Sequence, residues 1–124
     1  MRKLSDNNTG FTLIEVLAAM VILSVGLLGM AALITGIVNS NKLSNRISVA
    51  TVLAQDKMEE IRGVGYDNAS DGTEDYNTMS DYSLYKRVAD VASDSPASGM
   101  KKITVTVYWD SDNHSVVLNM ILAE

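Results

Sequence analysis

One carboxylate, Glu15, stands alone in an otherwise uncharged stretch of this sequence. The run from residue 11 to residue 38 reads FTLIEVLAAMVILSVGLLGMAALITGIV, and Glu15 is its only charged side chain. A charged side chain at the centre of a membrane helix costs about 2.5–3.5 kcal/mol on insertion scales, and such residues usually have a partner and a function. Because Glu15 lies near one end of the run, its position alone is equally compatible with a place among lipid headgroups.

Asp110, Asp112 and His114 form the other constellation with possible chemistry, an Asp-x-Asp-x-His pattern. All three share one short turn, which is typical of solvated turn residues rather than of a metal site. Five carboxylates also lie in the segment before the predicted sheet: Asp67, Asp71, Glu74, Asp75 and Asp81. This acidic loop fails the EF-hand pattern because Ala69 and Thr78 occupy ligand positions, and a looser calcium site stays open.

Composition excludes several classes of function. The chain has no cysteine and therefore no disulfide framework, thiolate metal site or cysteine nucleophile. Its net charge of -5 gives it no electrostatic footprint for nucleic acid. The basic pairs at 86–87 and 101–102 are predicted to be solvated strand positions. With no catalytic triad, phosphate loop or paired-carboxylate cleft in the sequence, we predict no catalytic site, no cofactor, no bound metal and no nucleic-acid partner.

The N-terminal segments position Glu15. Residues 1–10 are polar and lack the apolar stretch that precedes cleavage in a secretory signal. The run from 11 to 38 exceeds the roughly 20 residues that span a bilayer, and Arg2 and Lys3 before it predict a cytoplasmic N-terminus. A buried core helix would need more covering chain than remains. An uncleaved signal anchor would explain everything except Glu15.

Helical periodicity continues beyond the uncharged run. Apolar residues recur on one helix face at Leu43, Ile47, Ala50, Ala54, Met58 and Ile61. Arg62 followed by Gly63 is a helix stop signal, so we predict one helix over residues 11–62. Its second half is amphipathic and must pack against another element.

The C-terminal half predicts that element. Alternating apolar residues predict strands at 82–91, 102–109 and 115–122, with a connection at 93–99 and a turn at 110–114 that contains His114. The fold class is therefore α+β: a long N-terminal helix, transmembrane and then amphipathic, packed on a small antiparallel sheet of about three strands.

Residues 10–17, GFTLIEVL, resemble the processing motif of type IV prepilins and pseudopilins. The resemblance implies that a membrane prepilin peptidase cuts between Gly10 and Phe11 and methylates the new N-terminus at Phe11. It also implies that Glu15 neutralises the N-terminal charge of a neighbouring subunit in a filament, which offsets the cost of burying either charge alone.

Two further segments narrow the resemblance. Residues 53–62, LAQDKMEEIR, are similar to PilV-type minor pilins and to GspI-type pseudopilins, whereas residues 25–31, VGLLGMA, are similar to the PilV type. The resemblance to the PilV type implies a minor pilin in type IV pilus assembly or initiation. Its implied partners are other pilin subunits through the N-terminal helix, the prepilin peptidase and inner-membrane lipid.

The alternatives are a minor pseudopilin of type II secretion and a single-pass membrane protein with a ligand- or partner-binding head.

The expected organisation is a leader at 1–10, a transmembrane helix at 11–38, its amphipathic continuation at 39–62 and a β head at 63–124. The head is expected outside the inner membrane, and the subunit in the pilus after assembly.

Overall fold

The computed structural model describes residues 10–124, so the predicted leader lies outside the described residues except for Gly10. One helix, α1 (Leu13–Asn68), precedes four strands: β1 (Gly72–Glu74), β2 (Tyr85–Ser93), β3 (Met100–Trp109) and β4 (His114–Ala123). The chain divides into two compact units, one up to Asn41 and one from Lys42 onward. The predicted α+β architecture is confirmed.

The first unit is the uncovered apolar part of α1. Every described residue up to Ser48 is exposed. By length and composition this helix could cross a membrane, since its most apolar 18-residue window has a mean hydropathy of 2.5 and is 0% buried. It is therefore not the core helix of this domain. Its apolar surface must be covered by lipid or by other chains.

The second half of α1 packs on the sheet through one face. Ala50 and Ala54 are fully buried, and Leu53 and Ile61 are 4% exposed. The predicted stripe is confirmed from Ala50 onward. The prediction is wrong for its first two positions, Leu43 and Ile47, which remain 41% and 43% exposed because they precede the first residue that the sheet buries.

The sheet is an antiparallel meander in the order β1-β2-β3-β4. Its central row is supplied by β3, where Ile103, Val105 and Val107 are 0% exposed. These residues alternate along the strand, as the sequence pattern predicts. β2 pairs with β3 from Tyr85↔Trp109, so the first predicted strand begins three residues later than expected.

The short strand β1 lies inside the segment that was predicted to be entirely loop. Its sequence, Gly-Thr-Glu, has no apolar alternation. It forms because it pairs with β2, with Glu74 opposite Arg87. The sheet therefore has four strands, one more than the predicted number of about three.

The break in α1 occurs at Gly65 rather than at Gly63. Gly65 has φ 80° and ψ 175°, a conformation open to glycine, and the helical segment resumes as far as Asn68. Lys101 Nζ donates a hydrogen bond of 2.6 Å to the Tyr66 carbonyl oxygen just after the break. This contact with β3 fixes the position of the turn, so the predicted helix end at Arg62 is wrong.

Arg87 is buried on the helix-facing side of β2, with 9% of its surface exposed. Its Nη1 donates a hydrogen bond of 2.9 Å to the Leu53 carbonyl oxygen, and its Nε and Nη2 donate to the two carboxylate oxygens of Glu74. These hydrogen bonds from Arg87 lower the pKa of Glu74, although burial opposes the shift. The prediction of a solvated Arg87 is wrong, because this bidentate pairing satisfies the buried charge.

Replacing Arg87 should destabilise the head more than replacing an exposed lysine. We expect Arg87→Ala to lower the free energy of unfolding by about 2–4 kcal/mol, because Glu74 and the Leu53 carbonyl group lose their donor. The control is Lys102→Ala on exposed β3 surface, expected to change it by less than about 0.5 kcal/mol. Denaturant unfolding measures both, and equal effects would contradict the structural role of Arg87.

Candidate functional site

The start of α1 is defined by Thr12. Its Oγ1 accepts a hydrogen bond of 3.3 Å from the Glu15 N–H, and its carbonyl oxygen accepts from the N–H groups of Glu15 and Val16. Thr12 is thus the N-cap, and Glu15 occupies the third helical position. Sequence reasoning missed Thr12, although Thr-x-x-Glu is the recognised signature of a capping box.

The Gly10–Phe11 bond lies outside the helix. Gly10 is exposed and a Cβ added to it would meet nothing within 4 Å, while Phe11 is 85% exposed. Regular helix begins only at Leu13. The predicted cleavage bond therefore lies in an exposed, non-helical segment, the type of backbone that proteases reach most easily.

Glu15 lines one shallow depression together with Phe11, which precedes the helix, and with Ala19 and Leu23, which follow Glu15 at four-residue intervals along α1. Within residues 10–124, no cationic side chain forms a salt bridge with Glu15. The carboxylate is favourably placed at the positive end of the helix dipole. A full counter-charge for it would have to come from outside the described part of the chain.

The Asp-x-Asp-x-His residues do not converge on a point. His114 is the first residue of β4 rather than part of the turn, and its ring stacks on Trp109 with centroids 5.6 Å apart. His114 Nε2 lies 3.8 Å from Asp110 Oδ2. Asp112 instead bonds to Lys86 and Tyr76. The turn therefore ends one residue earlier than predicted, because His114 pairs with Trp109 in the sheet.

Three of the five carboxylates of the acidic loop make structural contacts. Asp71 Oδ1 accepts a hydrogen bond of 2.6 Å from the Val91 N–H, and Asp75 Oδ1 accepts one of 2.8 Å from the Tyr76 N–H. Glu74 pairs with Arg87. Over residues 10–124, the His, Asp and Glu side chains form no group of three that could hold a metal ion.

Tyr76, Lys86 and Asp112 join the loop after β1 to the turn between β3 and β4. The Tyr76 hydroxyl donates to Asp112 Oδ1 at 2.9 Å and accepts from the Asp112 N–H at 3.0 Å, while Lys86 Nζ donates to Oδ2 at 2.6 Å. Hydrogen bonds from Lys86 and Tyr76 lower the pKa of Asp112. Three consecutive turn residues, Asp110, Ser111 and Asp112, have φ between 55° and 66°. The cluster therefore holds a backbone conformation that non-glycine residues seldom adopt.

Removing the Tyr76 hydroxyl should loosen this turn. We expect Tyr76→Phe to lower the free energy of unfolding by about 1 kcal/mol and to speed hydrogen exchange at the Asp112 amide, which loses its acceptor. Tyr82→Phe is the matched control, because the Tyr82 hydroxyl has no hydrogen bond within the described residues. Indistinguishable exchange rates at Asp112 in the two variants would contradict this role.

A family model described as "Prokaryotic N-terminal methylation motif" matches residues 5–31. No curated protein sequence and no solved structure matches the chain. The matched segment contains Gly10, Phe11 and Glu15 together with residues 11–31 of the apolar run, about three quarters of it. With the membrane-capable helix α1, the motif indicates a membrane-anchored structural protein of type IV pilin-like or pseudopilin type.

Proposed function

We propose that this chain is a minor pilin, a non-catalytic subunit that enters a type IV pilus after removal of residues 1–10. The observation that carries the proposal is the exposed Gly10–Phe11 bond directly before a capped helix start, with Glu15 in the first turn. The resemblance of residues 25–31 to PilV-type proteins favours a minor pilin over a type II pseudopilin.

Cleavage changes the charge at this helix end. The prepilin peptidase would leave a methylated, positively charged amino group on Phe11, which lines the same shallow depression as Glu15. When the apolar helices of two subunits pack together, the amino group of one can pair with Glu15 of the other. A pair buried in this way avoids the penalty that a single uncompensated charge would carry.

The apolar part of α1 supplies the assembly surface in this proposal. Its residues up to Asn41 have no cover within the described chain. Before assembly, lipid of the inner membrane covers them, with Arg2 and Lys3 on the cytoplasmic side and the head on the opposite side of the membrane. Helices of other pilin subunits replace that lipid in the filament, where close packing and not the hydrophobic effect drives association.

The head fits a structural role better than a ligand-binding one. One open cavity of the head, of about 360 Å³, has a largely polar lining: Arg46, Tyr76, Asn77, Ser83, Leu84, Asp110 and Ser111. Small-molecule sites are usually enclosed and mainly apolar, with only a few placed polar groups. This contrast favours a filament subunit over a membrane protein whose head binds a small ligand.

Processing tests the proposal directly. We expect the full chain, made in cells with an active prepilin peptidase, to begin at N-methylated Phe11 when its intact mass is measured. The same cells without the peptidase should contain the unprocessed chain, and Gly10→Val should block cleavage because a β-branched side chain crowds the bond. An intact Met1 on the unsubstituted chain in cells with active peptidase would overturn the proposal.

The charge of Glu15 is tested separately from its position in the helix cap. We expect Glu15→Gln to keep cleavage and the helix start, because glutamine also serves in a capping box. It should nevertheless reduce incorporation into filaments at least about tenfold, since the neighbouring amino group loses its counter-charge. Quantitative immunoblotting of sheared filaments measures incorporation.

Two further variants make the result specific. Glu15→Ala should reduce incorporation similarly, whereas Glu59→Gln, which removes an exposed carboxylate of the same helix, should leave it unchanged. Normal incorporation of Glu15→Gln would contradict charge pairing. Incorporation lost only in Glu15→Ala would assign Glu15 to capping alone.

A further inference from the structure

Among residues 10–124, strand β4 is an open sheet edge without the usual protection. It lies at one end of the order β1-β2-β3-β4, and its sequence, HSVVLNMILA, contains no Lys, Arg, Asp, Glu or Pro. Natural edge strands are normally short, charged, interrupted by proline or covered. The opposite edge, β1, meets the first condition with three residues. β4 has ten residues and meets none of these conditions within its own sequence.

The register identifies the main-chain groups that face outward. Glu124 N–H donates to the Gly99 carbonyl oxygen at 3.1 Å, which continues the pairing of Met100 with Ala123. Because hydrogen-bonded and non-hydrogen-bonded pairs alternate, the even-numbered residues of β4 bond to β3. The odd-numbered residues direct their N–H and C=O groups away from the sheet: Ser115, Val117, Asn119, Ile121 and Ala123.

Both faces of β4 also keep apolar surface uncovered. On the helix side, Val116, Leu118, Met120 and Leu122 are only half-buried, although they pack against a fully buried row on β3. On the other side, Val117 and Ile121 are 51% and 57% exposed. A further strand beside β4 would cover apolar surface on both faces.

The residue order in β4 is nearly symmetric about Asn119, and this symmetry identifies the partner. Residues at equal distances on either side of Asn119 are of similar type: Leu118 corresponds to Met120, Val117 to Ile121, Val116 to Leu122 and Ser115 to Ala123. At the ends, His114 corresponds to Glu124, an imidazole opposite a carboxylate. An antiparallel copy of the same strand would therefore meet matching side chains on both faces.

We propose that β4 is a docking surface for a second copy of this chain, paired antiparallel about a two-fold axis at Asn119. In this register the outward-facing residues pair only with one another, as Val117 with Ile121 and Ser115 with Ala123 of the other copy. Each such pair can exchange two main-chain hydrogen bonds. The two heads then share one continuous sheet through an isologous contact, which closes after two copies.

The two-fold axis lies perpendicular to the shared sheet. The buried segments of α1 on the two heads, from Ala50 to Ile61, therefore run antiparallel to one another across the contact.

A single cysteine at the axis tests the register, because the chain has no cysteine of its own. Hydrogen-bonded antiparallel pairs have Cα atoms about 5.5 Å apart, within the range that a disulfide bridges. We expect full-length Asn119→Cys in detergent micelles to form disulfide dimers under mild oxidation. Ser115→Cys should form them at least about tenfold more slowly, because residue 115 of the two copies would lie about 27 Å apart.

Mixing experiments supply the controls. Ser115→Cys mixed with Ala123→Cys should crosslink as readily as Asn119→Cys, since these positions face each other. Asn119→Lys and Asn119→Glu should each be monomeric by light scattering, because like charges meet at the axis, and an equimolar mixture should pair. Asp90→Lys, an exposed position on β2 two strands away from Asn119, should leave pairing intact.

Several results would overturn the proposal. These are similar crosslinking at positions 115, 119 and 123, a monomeric Asn119→Cys, or failure of the mixed charge variants to pair. In cells, crosslinking of Asn119→Cys only to a different protein would assign the edge to that protein instead. None of these measurements depends on processing or filament incorporation, so failure here is distinguishable from failure of the proposed function.

Discussion

One helix has to be stable in two different surroundings, and the rest of the molecule follows from that constraint. Up to Asn41, α1 is apolar on all sides and no described residue of this chain covers it. From Ala50 onward only one face is apolar, and the sheet covers that face. The hydrophobic effect therefore stabilises the head, whereas lipid or other helices must cover the apolar surface of the first part of α1.

The head is small, so each contact between its elements matters. Arg87 bonds to the Leu53 carbonyl oxygen and to Glu74, and thus connects α1, β2 and β1 at one point. An arginine in a core is stable only when its donors are paired, and the planar guanidinium group is well suited to a carboxylate. The short strand β1 therefore contributes more than its backbone pairing, because its Glu74 carries the counter-charge for the buried Arg87. Without a disulfide, such contacts and the packing of β3 hold the head together.

Periodic features of the fold could be predicted from sequence, and non-periodic ones could not. Alternation along Ile103, Val105 and Val107 predicts the buried face of β3, because strand geometry repeats every two residues. The choice between Gly63 and Gly65 as the helix break depends on Lys101 reaching the Tyr66 carbonyl group, a contact between residues far apart in sequence. The burial of Arg87 likewise depends on pairing with Glu74.

The candidate site was predictable to a different degree. The position of Glu15 and the Gly10–Phe11 bond follow from local sequence, since a motif of a few residues contains them. Thr12 also had a local signal, the Thr-x-x-Glu pattern. The partners of Asp112 had none, because Tyr76 and Lys86 come together with it only when β1, β2 and the β3–β4 turn are in place.

Glu15 illustrates how one residue can serve the isolated subunit and the assembled one. In the single chain, its backbone N–H bonds to Thr12 and its carboxylate lies at the positive end of the helix dipole. That electrostatic contribution is modest, typically 0.3–1 kcal/mol at exposed sites. It is too small to offset the desolvation of a carboxylate in a packed apolar bundle, which amounts to several kcal/mol per ion. Capping therefore accounts for Glu15 in water or at a headgroup boundary, whereas burial between helices requires a full positive charge beside it. The new amino group at Phe11 of a neighbouring subunit would supply that charge, without any further basic residue in the apolar run.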